Sequence, residues 1–300
     1  MIISTERLNV LKGINHLSNK YNDMMLISEI EHFIQEDLGY NDISCTLVPD
    51  VVRSAVIFVK QDCVLAGMEP AHCILEYFDL TIQTDRSDGD ELNAGDTIFK
   101  VSGSAISILR AERLVLNFLA HLSGIATLTN QYVQQVTPFS NARVASTRKT
   151  TPGFRKFEKL AVIAGGGDPH RFNLSDSIMV KDNHIKMMGL REAIRSAKSR
   201  ASFTNRIDVE VESADDAVVA AEMGADIIML DNMDPAQVID TVGLLKHKGL
   251  QSRVIIEVSG GIGPGNIQEY AKTGVDVISV GSLIHHSDWI DVSLEMSDEG

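Results

Sequence analysis

Cysteine is scarce: three occur in 300 residues, Cys45, Cys63 and Cys73. The number is odd and no C-x-x-C spacing is present, so neither a disulfide framework nor a cysteine zinc site is expected, and a reducing, cytoplasmic compartment fits. Basic charge is also short. Lys and Arg number 27 against 41 Asp and Glu, a net charge of -14. Binding a phosphate backbone requires a basic face that releases counterions, so no nucleic-acid partner is expected. Any anionic ligand must instead be held by a local cluster of cations. Long apolar runs are missing too: no stretch approaches the roughly 18 residues needed to span a bilayer. The opening Met1-Ile2-Ile3-Ser4 is too short an apolar run for a signal peptide, so neither secretion nor a membrane partner is expected.

What is present is an ordinary globular composition, 44% hydrophobic and 23% charged. The length exceeds that of a usual single domain and suits a barrel plus a smaller partner. Residues 1–25 show no clear period and are expected to be a weakly ordered lead-in. Ile27, Ile30, Ile34 and Leu38 fall at helical spacing and Gly39 supplies a stop. Ala55, Ile57 and Val59 alternate as in a strand, and Pro70 opens a helix. Asp88-Gly89-Asp90 and Ala94-Gly95-Asp96 punctuate further strands ending at Lys100-Val101. Residues 26–140 thus read as an α+β sandwich domain with connecting helices. Two helices, parted near Ser123-Gly124, are expected between Ser104 and Val136. On the first, Arg110, Arg113, Asn117 and His121 share a face. That face is either solvated or a basic stripe toward a ligand or subunit.

From residue 141 the pattern becomes strand–helix alternation, with apolar runs at Val144–Ala145, Ile178–Val180, Ile207–Val211, Ile227–Leu230, Val254–Val258 and Val277–Val280. Ser213, Asp234-Pro235 and Pro264 mark helix starts between them. Repeated β-α units without a switch point predict a β/α barrel over 141–283, with 284–300 a tail that returns to the first domain as a strand near Asp291–Met296. The fold class is therefore α/β: a C-terminal β/α barrel with an N-terminal α+β sandwich domain.

The residues standing directly after the apolar runs are informative: Arg148-Lys149, Lys181-Asp182-Asn183-His184, Glu210, Asp231-Asn232, Ser259-Gly260-Gly261 and Gly281-Ser282. In a β/α barrel these are the strand ends on which catalytic groups gather. The early ends and loops supply cations (Arg148, Lys149, His170, Arg171, Lys181), the middle ones carboxylates (Glu210, Asp231), and the last ones glycines. That division suits an anionic substrate on one side and a magnesium-bound polyphosphate or sugar hydroxyls on the other. Glycine turns after the final strands often cradle phosphate with backbone N–H groups, although a lone Ser-Gly-Gly is ordinary turn chemistry.

The run Ser146-Thr147-Arg148-Lys149-Thr150-Thr151-Pro152-Gly153-Phe154-Arg155, then Gly165-Gly166-Gly167, His170-Arg171 and Val180-Lys181-Asp182-Asn183-His184, resembles the barrel signature of the quinolinate phosphoribosyltransferase family. Glu112-Arg113, Leu116-Asn117, Leu122-Ser123-Gly124, Val209-Glu210-Val211, Leu230-Asp231-Asn232, Ser259-Gly260-Gly261 and Val280-Gly281 are similar too, so the likeness spans about residues 27–296. The resemblance implies a Mg2+-dependent transfer of phosphoribosyl from phosphoribosyl pyrophosphate to quinolinate, with decarboxylation, giving nicotinate mononucleotide, pyrophosphate and CO2 for NAD synthesis. It implies that Arg148, His170, Arg171 and Lys181 bind quinolinate. Arg113 would reach into a neighbouring subunit's site, which requires a homodimer or larger homo-oligomer. It further implies that Lys149, Glu210, Asp231, Ser259, Gly260 and Gly281 hold phosphoribosyl pyrophosphate, with Glu210 and Asp231 at the metal, and that Lys149, Lys181, Glu210 and Asp231 form the catalytic set.

Two positions depart from the family pattern, Ser146 where an aspartate is expected and Pro169 where an asparagine is expected. Two other readings compete. A phosphoribosyltransferase-like relative associated with molybdate-transport operons would carry phenylalanine at position 151 and lack the Lys-Asp-Asn-His run. A Schiff-base aldolase would use Lys181 as a desolvated amine.

Overall fold

The computed structural model describes residues 26–40 and 42–297; the lead-in expected over 1–25 lies outside them. The chain divides into two compact units. One comprises the described residues up to Asp62, Gly67–His121 and the segment from Ile290; the other comprises Cys63–Ala66 and Leu122–Trp289.

In the first unit, helix α1 (Leu26–Leu38) buries Ile30 and Ile34, four residues apart, and ends at Gly39 with φ +55°. Strands β1 (Val52–Val59), β2 (Thr81–Gln83), β3 (Thr97–Ser104) and a C-terminal strand (Val292–Met296) form one sheet, with helix α2 (Met68–Tyr77) between β1 and β2. The sheet is antiparallel, in the order C-terminal strand, β1, β3, β2. Alternation in β1 buries Ala55, Ile57 and Val59, as a half-buried strand requires. The C-terminal strand pairs with β1 from Ala55↔Met296 to Val59↔Val292.

Helix α3 runs unbroken from Ala105 to Val136, so the expected break at Ser123-Gly124 does not occur. Gly124 serves a close approach instead: a Cβ there would lie 2.1 Å from the Asp288 carbonyl oxygen. Ser123 Oγ accepts from the Ala66 N–H at 3.0 Å, again a packing role. The domain boundary expected at 140/141 accordingly falls inside this helix, between His121 and Leu122, and the returning tail begins at Ile290 rather than 284.

The second unit carries six parallel strands: β4 (Arg143–Ala145), β5 (Ile178–Val180), β6 (Ile207–Val211), β7 (Ile227–Asp231), β8 (Ile255–Ser259) and β9 (Val277–Ser279). Their order is β4-β9-β8-β7-β6-β5, so the first strand pairs with the last, as in a barrel with one seam. At that seam the backbone of Asp168 bonds to β4, its N–H to Val144 O at 2.8 Å and its C=O to Ser146 N at 2.9 Å. Between the strands lie helices α4 (Arg155–Ala164), α5 (Asp182–Met188), α6 (Leu190–Arg200), α7 (Ala214–Glu222), α8 (Pro235–His247) and α9 (Ile267–Ala271), with α10 (Ser282–His285) after β9. Ser213 Oγ caps α7 by accepting from Asp216 N–H at 3.1 Å. Asp234 and Gln237 form a reciprocal box at α8 with Pro235 in its first turn.

The period of two in each strand sorts the barrel. Val209, Val211, Ile228, Leu230, Ile256, Val258 and Ile278 join the core shared with Ala217, Val218, Val238, Val242 and Leu245 of the helices. Each such side chain contributes about 1.5–3 kcal/mol by leaving water. The alternate residues Met179, Asp208, Glu210, Met229, Asp231, Glu257, Ser259 and Ser279 therefore face the barrel interior.

Candidate functional site

One side of the strand-end face is cationic. Arg148 lies just past β4, and its Nε is buried without a hydrogen-bond partner. Arg171 is half-buried, donating Nη1 to Ser177 O at 3.2 Å and Nη2 to Met179 Sδ at 3.3 Å. Burial and then the nearby Arg148 charge hold the Arg171 pKa below its usual value. Two guanidinium groups kept close, one with an orphaned donor, make a cradle for a planar anion. The flanking loops are tied together by Arg155, which donates Nε to Thr150 Oγ1 at 2.9 Å and Nη1 to Phe172 O at 3.2 Å.

The other side is acidic. Lys181 donates to Glu210 Oε2 at 2.5 Å. Asp231 has its pKa raised by burial and then by Glu210 and Glu212, against the charges of Lys181 and Lys149. Negative charge is thus crowded here and only partly compensated, with oxygen donors alone, which suits a hard divalent cation. Gly260 has φ +93°, and a Cβ on it would lie 2.3 Å from Asn232 Oδ1. Asn232 itself has φ +55° and donates its N–H to Ser259 O at 2.9 Å. A Cβ on Gly281 would lie 3.1 Å from Lys149 Cδ and 3.4 Å from its Nζ. Lys149, Lys181, Glu210, Asp231, Ser259, Gly260 and Gly281 thus ring one strand-end face, with Arg148 and Arg171 adjoining.

Beneath this ring lies a cluster that strand ends alone do not reveal. His170, Asp208 and Glu257 bring a ring nitrogen and two carboxylates within 4.8 Å of one another. His170 Nε2 lies 3.3 Å from Glu257, whose Oε1 accepts a short bond from Ser279 Oγ. Both Asp208 oxygens are buried and unpartnered, and burial, then the Glu257 charge, push its pKa up to about 7. A signal for the cluster exists in the chain: Asp208 and Glu257 stand two residues before Glu210 and Ser259, on the same face by strand alternation.

Ser146 and Pro169, the two departures from the family pattern, meet each other. Ser146 Oγ donates to Pro169 O at 3.0 Å, and the fully buried Lys159 ammonium donates to Ser146 Oγ at 3.4 Å and, by a shorter bond, to Pro169 O. Burial, then Arg155, push the Lys159 pKa down to about 8. Arg113 is exposed on α3 within the other compact unit. Lys181 is 45% exposed and paired with Glu210, the opposite of the desolvated amine a Schiff base requires, so the aldolase reading loses its basis.

The family model described as quinolinate phosphoribosyl transferase, C-terminal domain, matches residues 125–295, and that for the N-terminal domain matches residues 42–123. A Methanothermobacter thermautotrophicus protein named "Probable nicotinate-nucleotide pyrophosphorylase (carboxylating)" is 44% identical over 271 residues, covering 89% of this chain and 97% of the relative. The rat nicotinate-nucleotide pyrophosphorylase (carboxylating) is 36% identical over 270 residues, covering 89% and 90%. Among solved structures, the nicotinate-nucleotide pyrophosphorylase of Francisella tularensis superposes with a TM-score of 0.85 at 35% identity, covering 91% of this chain and 96% of that one.

Proposed function

The chain belongs to the quinolinate phosphoribosyl transferase family, and from that premise we propose that it transfers phosphoribosyl from phosphoribosyl pyrophosphate to quinolinate, releasing pyrophosphate and CO2 and leaving nicotinate mononucleotide for NAD synthesis. The observation that carries this reading is the division of one barrel face into a guanidinium cradle, Arg148 and Arg171, and a carboxylate–glycine side.

Arg148 and Arg171 hold the two carboxylates of quinolinate, because a planar fork matches a carboxylate in a way that an ammonium does not. Lys181 stands between this cradle and the acids. Lys149 and the backbone N–H groups at Ser259, Gly260 and Gly281 take the phosphates, and Glu210 and Asp231 take the ribose hydroxyls. The same two carboxylates would hold Mg2+, which when bound neutralises the departing pyrophosphate. The pyridine nitrogen, held in line, forms its bond to the anomeric carbon as the pyrophosphate oxygen leaves, through a cation-like transition state stabilised by Glu210 and Asp231. No side-chain nucleophile is needed. Once alkylated, the ring nitrogen is positive; the adjacent carboxylate leaves as CO2, its electron pair stays on the ring carbon, and a proton replaces it.

The same reading makes the protein a cytoplasmic homodimer in which Arg113 serves the site of a neighbouring subunit. Mixed dimers of Arg113→Ala and Arg171→Ala chains then regain activity that neither variant has alone. None of the described helices is long and apolar enough to cross a membrane. Incubation with quinolinate, phosphoribosyl pyrophosphate and Mg2+ yields nicotinate mononucleotide and CO2; no product from folded protein overturns the reading.

A further inference from the structure

His170 is expected from its family resemblance to bind a substrate carboxylate, yet its surroundings leave it no free nitrogen. The residue comes after Pro169 and has φ +54°, a conformation uncommon for a residue with a side chain. Its own N–H is held by Asp168 Oδ1 at 2.8 Å. The ring is turned inward, its side chain 15% exposed. Nδ1 accepts the Arg171 backbone N–H at 2.7 Å, and Nε2 lies 3.3 Å from Glu257.

These contacts determine the tautomer. A nitrogen that accepts an N–H cannot carry a proton, so Nδ1 is bare and Nε2–H donates to Glu257. The groups facing the ring are Glu257 from β8, Asp208 from β6 and Lys159 from α4; burial and Lys159 disfavour the imidazolium, while the two carboxylates favour it and raise its pKa. The 2.7 Å contact decides for the neutral ring, because a proton on Nδ1 would set two donors against each other.

We propose that His170 is a positioning residue that makes no contact with substrate: held on Glu257 and Ser279 inside the barrel, its ring fixes the backbone from which Arg171 presents its guanidinium. The chain of contacts is continuous. Ser279 Oγ bonds Glu257, Glu257 accepts from the His170 ring, and the ring accepts from the Arg171 main chain. The Arg171 side chain then spends one donor on Ser177 O and one on Met179 Sδ, which leaves the remainder of its fork for an anion. Lys159 and Ser146 both donate to the preceding carbonyl, that of Pro169, and clamp it. The loop is thus held at three successive residues, 168 to 170, before Arg171.

This inference rests on the quinolinate reading for the identity of the anion, but not for the state of the ring. The test is carried out on the full chain with 15N-labelled histidine, the His170 signals being identified among the nine histidines by their loss in His170→Asn. The expected result is a neutral Nε2–H ring whose two nitrogen shifts stay in place when quinolinate saturates the enzyme. Protonation of the ring on binding, or a large Nε2 shift toward a new acceptor, would overturn the proposal.

Steady-state kinetics supply the second arm. His170→Asn retains an acceptor for the Arg171 N–H and tolerates positive φ, whereas His170→Leu keeps bulk alone. The quinolinate KM should rise about tenfold or less in the first and about a hundredfold in the second, with the KM for phosphoribosyl pyrophosphate unchanged in both. Equal losses in the two variants count against positioning. If the wild type shows no turnover with quinolinate, the functional reading fails; the ring's tautomer, measured without ligand, is then still a test of the geometry.

Discussion

Two carboxylates on strand β6, Glu210 and Asp208, differ by two residues and by almost everything that matters chemically. Glu210 stands at the rim, its side chain 13% exposed and paired with a lysine that reaches solvent. Asp208 is 0% exposed, without a hydrogen-bond partner, beside a second buried acid, Glu257. The same pairing recurs on β8, where Glu257 lies two residues below Ser259. At the rim, water offsets the cost of charge and leaves the group free to meet a ligand; deeper, charge survives only with internal partners, and its role becomes structural. On the proposed reading the rim binds and reacts, whereas the interior layer holds the loops in place.

The sharpest way to break this comparison is at the rim. Arg171→Ala should abolish measurable quinolinate binding, a loss of about a hundredfold or more, while phosphoribosyl pyrophosphate binds as before; calorimetric titration of each substrate checks it, and equal loss of both would contradict the division of the face. Glu210→Gln should lower kcat about a hundredfold yet leave the urea midpoint almost unmoved. Its interior counterpart, Glu257→Ala, should reverse that balance with a stability loss of about 3 kcal/mol, since it strands the His170 ring N–H and the Ser279 hydroxyl and opens a cavity. A rim-like Glu257 variant, inactive but fully stable, would dissolve the two-layer picture.

Smaller effects sharpen it. Gly260→Ala combines a φ of +93° with a collision against Asn232 and should cost about 1–3 kcal/mol while weakening phosphoribosyl pyrophosphate more than quinolinate. Lys159 provides the pH test. Its folded pKa of about 8 lies below its ordinary 10.5, so between those values the unfolded chain holds a proton that the folded one lacks. This group's contribution to stability therefore rises with pH from about 8 to 10.5. Urea midpoints across that window should show a slope in the wild type that Lys159→Met lacks, a difference on the order of 1 kcal/mol. Ser146→Asp should flatten the slope too, by setting a carboxylate against the ammonium.

Much of this is legible in the chain because the elements obey local rules. The runs Ile178–Val180 and Ile207–Val211 are observed as strands at those bounds, and Ser213 and Asp234 cap the helices they are expected to open. Strand ends in such a fold must converge, so Glu210, Asp231, Ser259 and Gly260 can be named from order alone. The break expected at Ser123-Gly124 fails for a nonlocal reason: the glycine answers the Asp288 carbonyl, 164 positions away in a chain whose packing no local pattern reports. Asp208 and Glu257 escape a search of strand ends because each stands one pleat below, although alternation marks both.

Composition, periodicity and the order of residue types determined the β/α architecture, the strand-end ring and the sign of charge around it, since each depends on neighbours within a few positions. Only the folded chain decided that Ser146 would touch Pro169, that Lys159 would be sealed between them, and that the His170 ring would turn inward to Glu257. Those outcomes depend on which groups are brought together from distant segments and how little water is left among them, and a linear pattern carries neither.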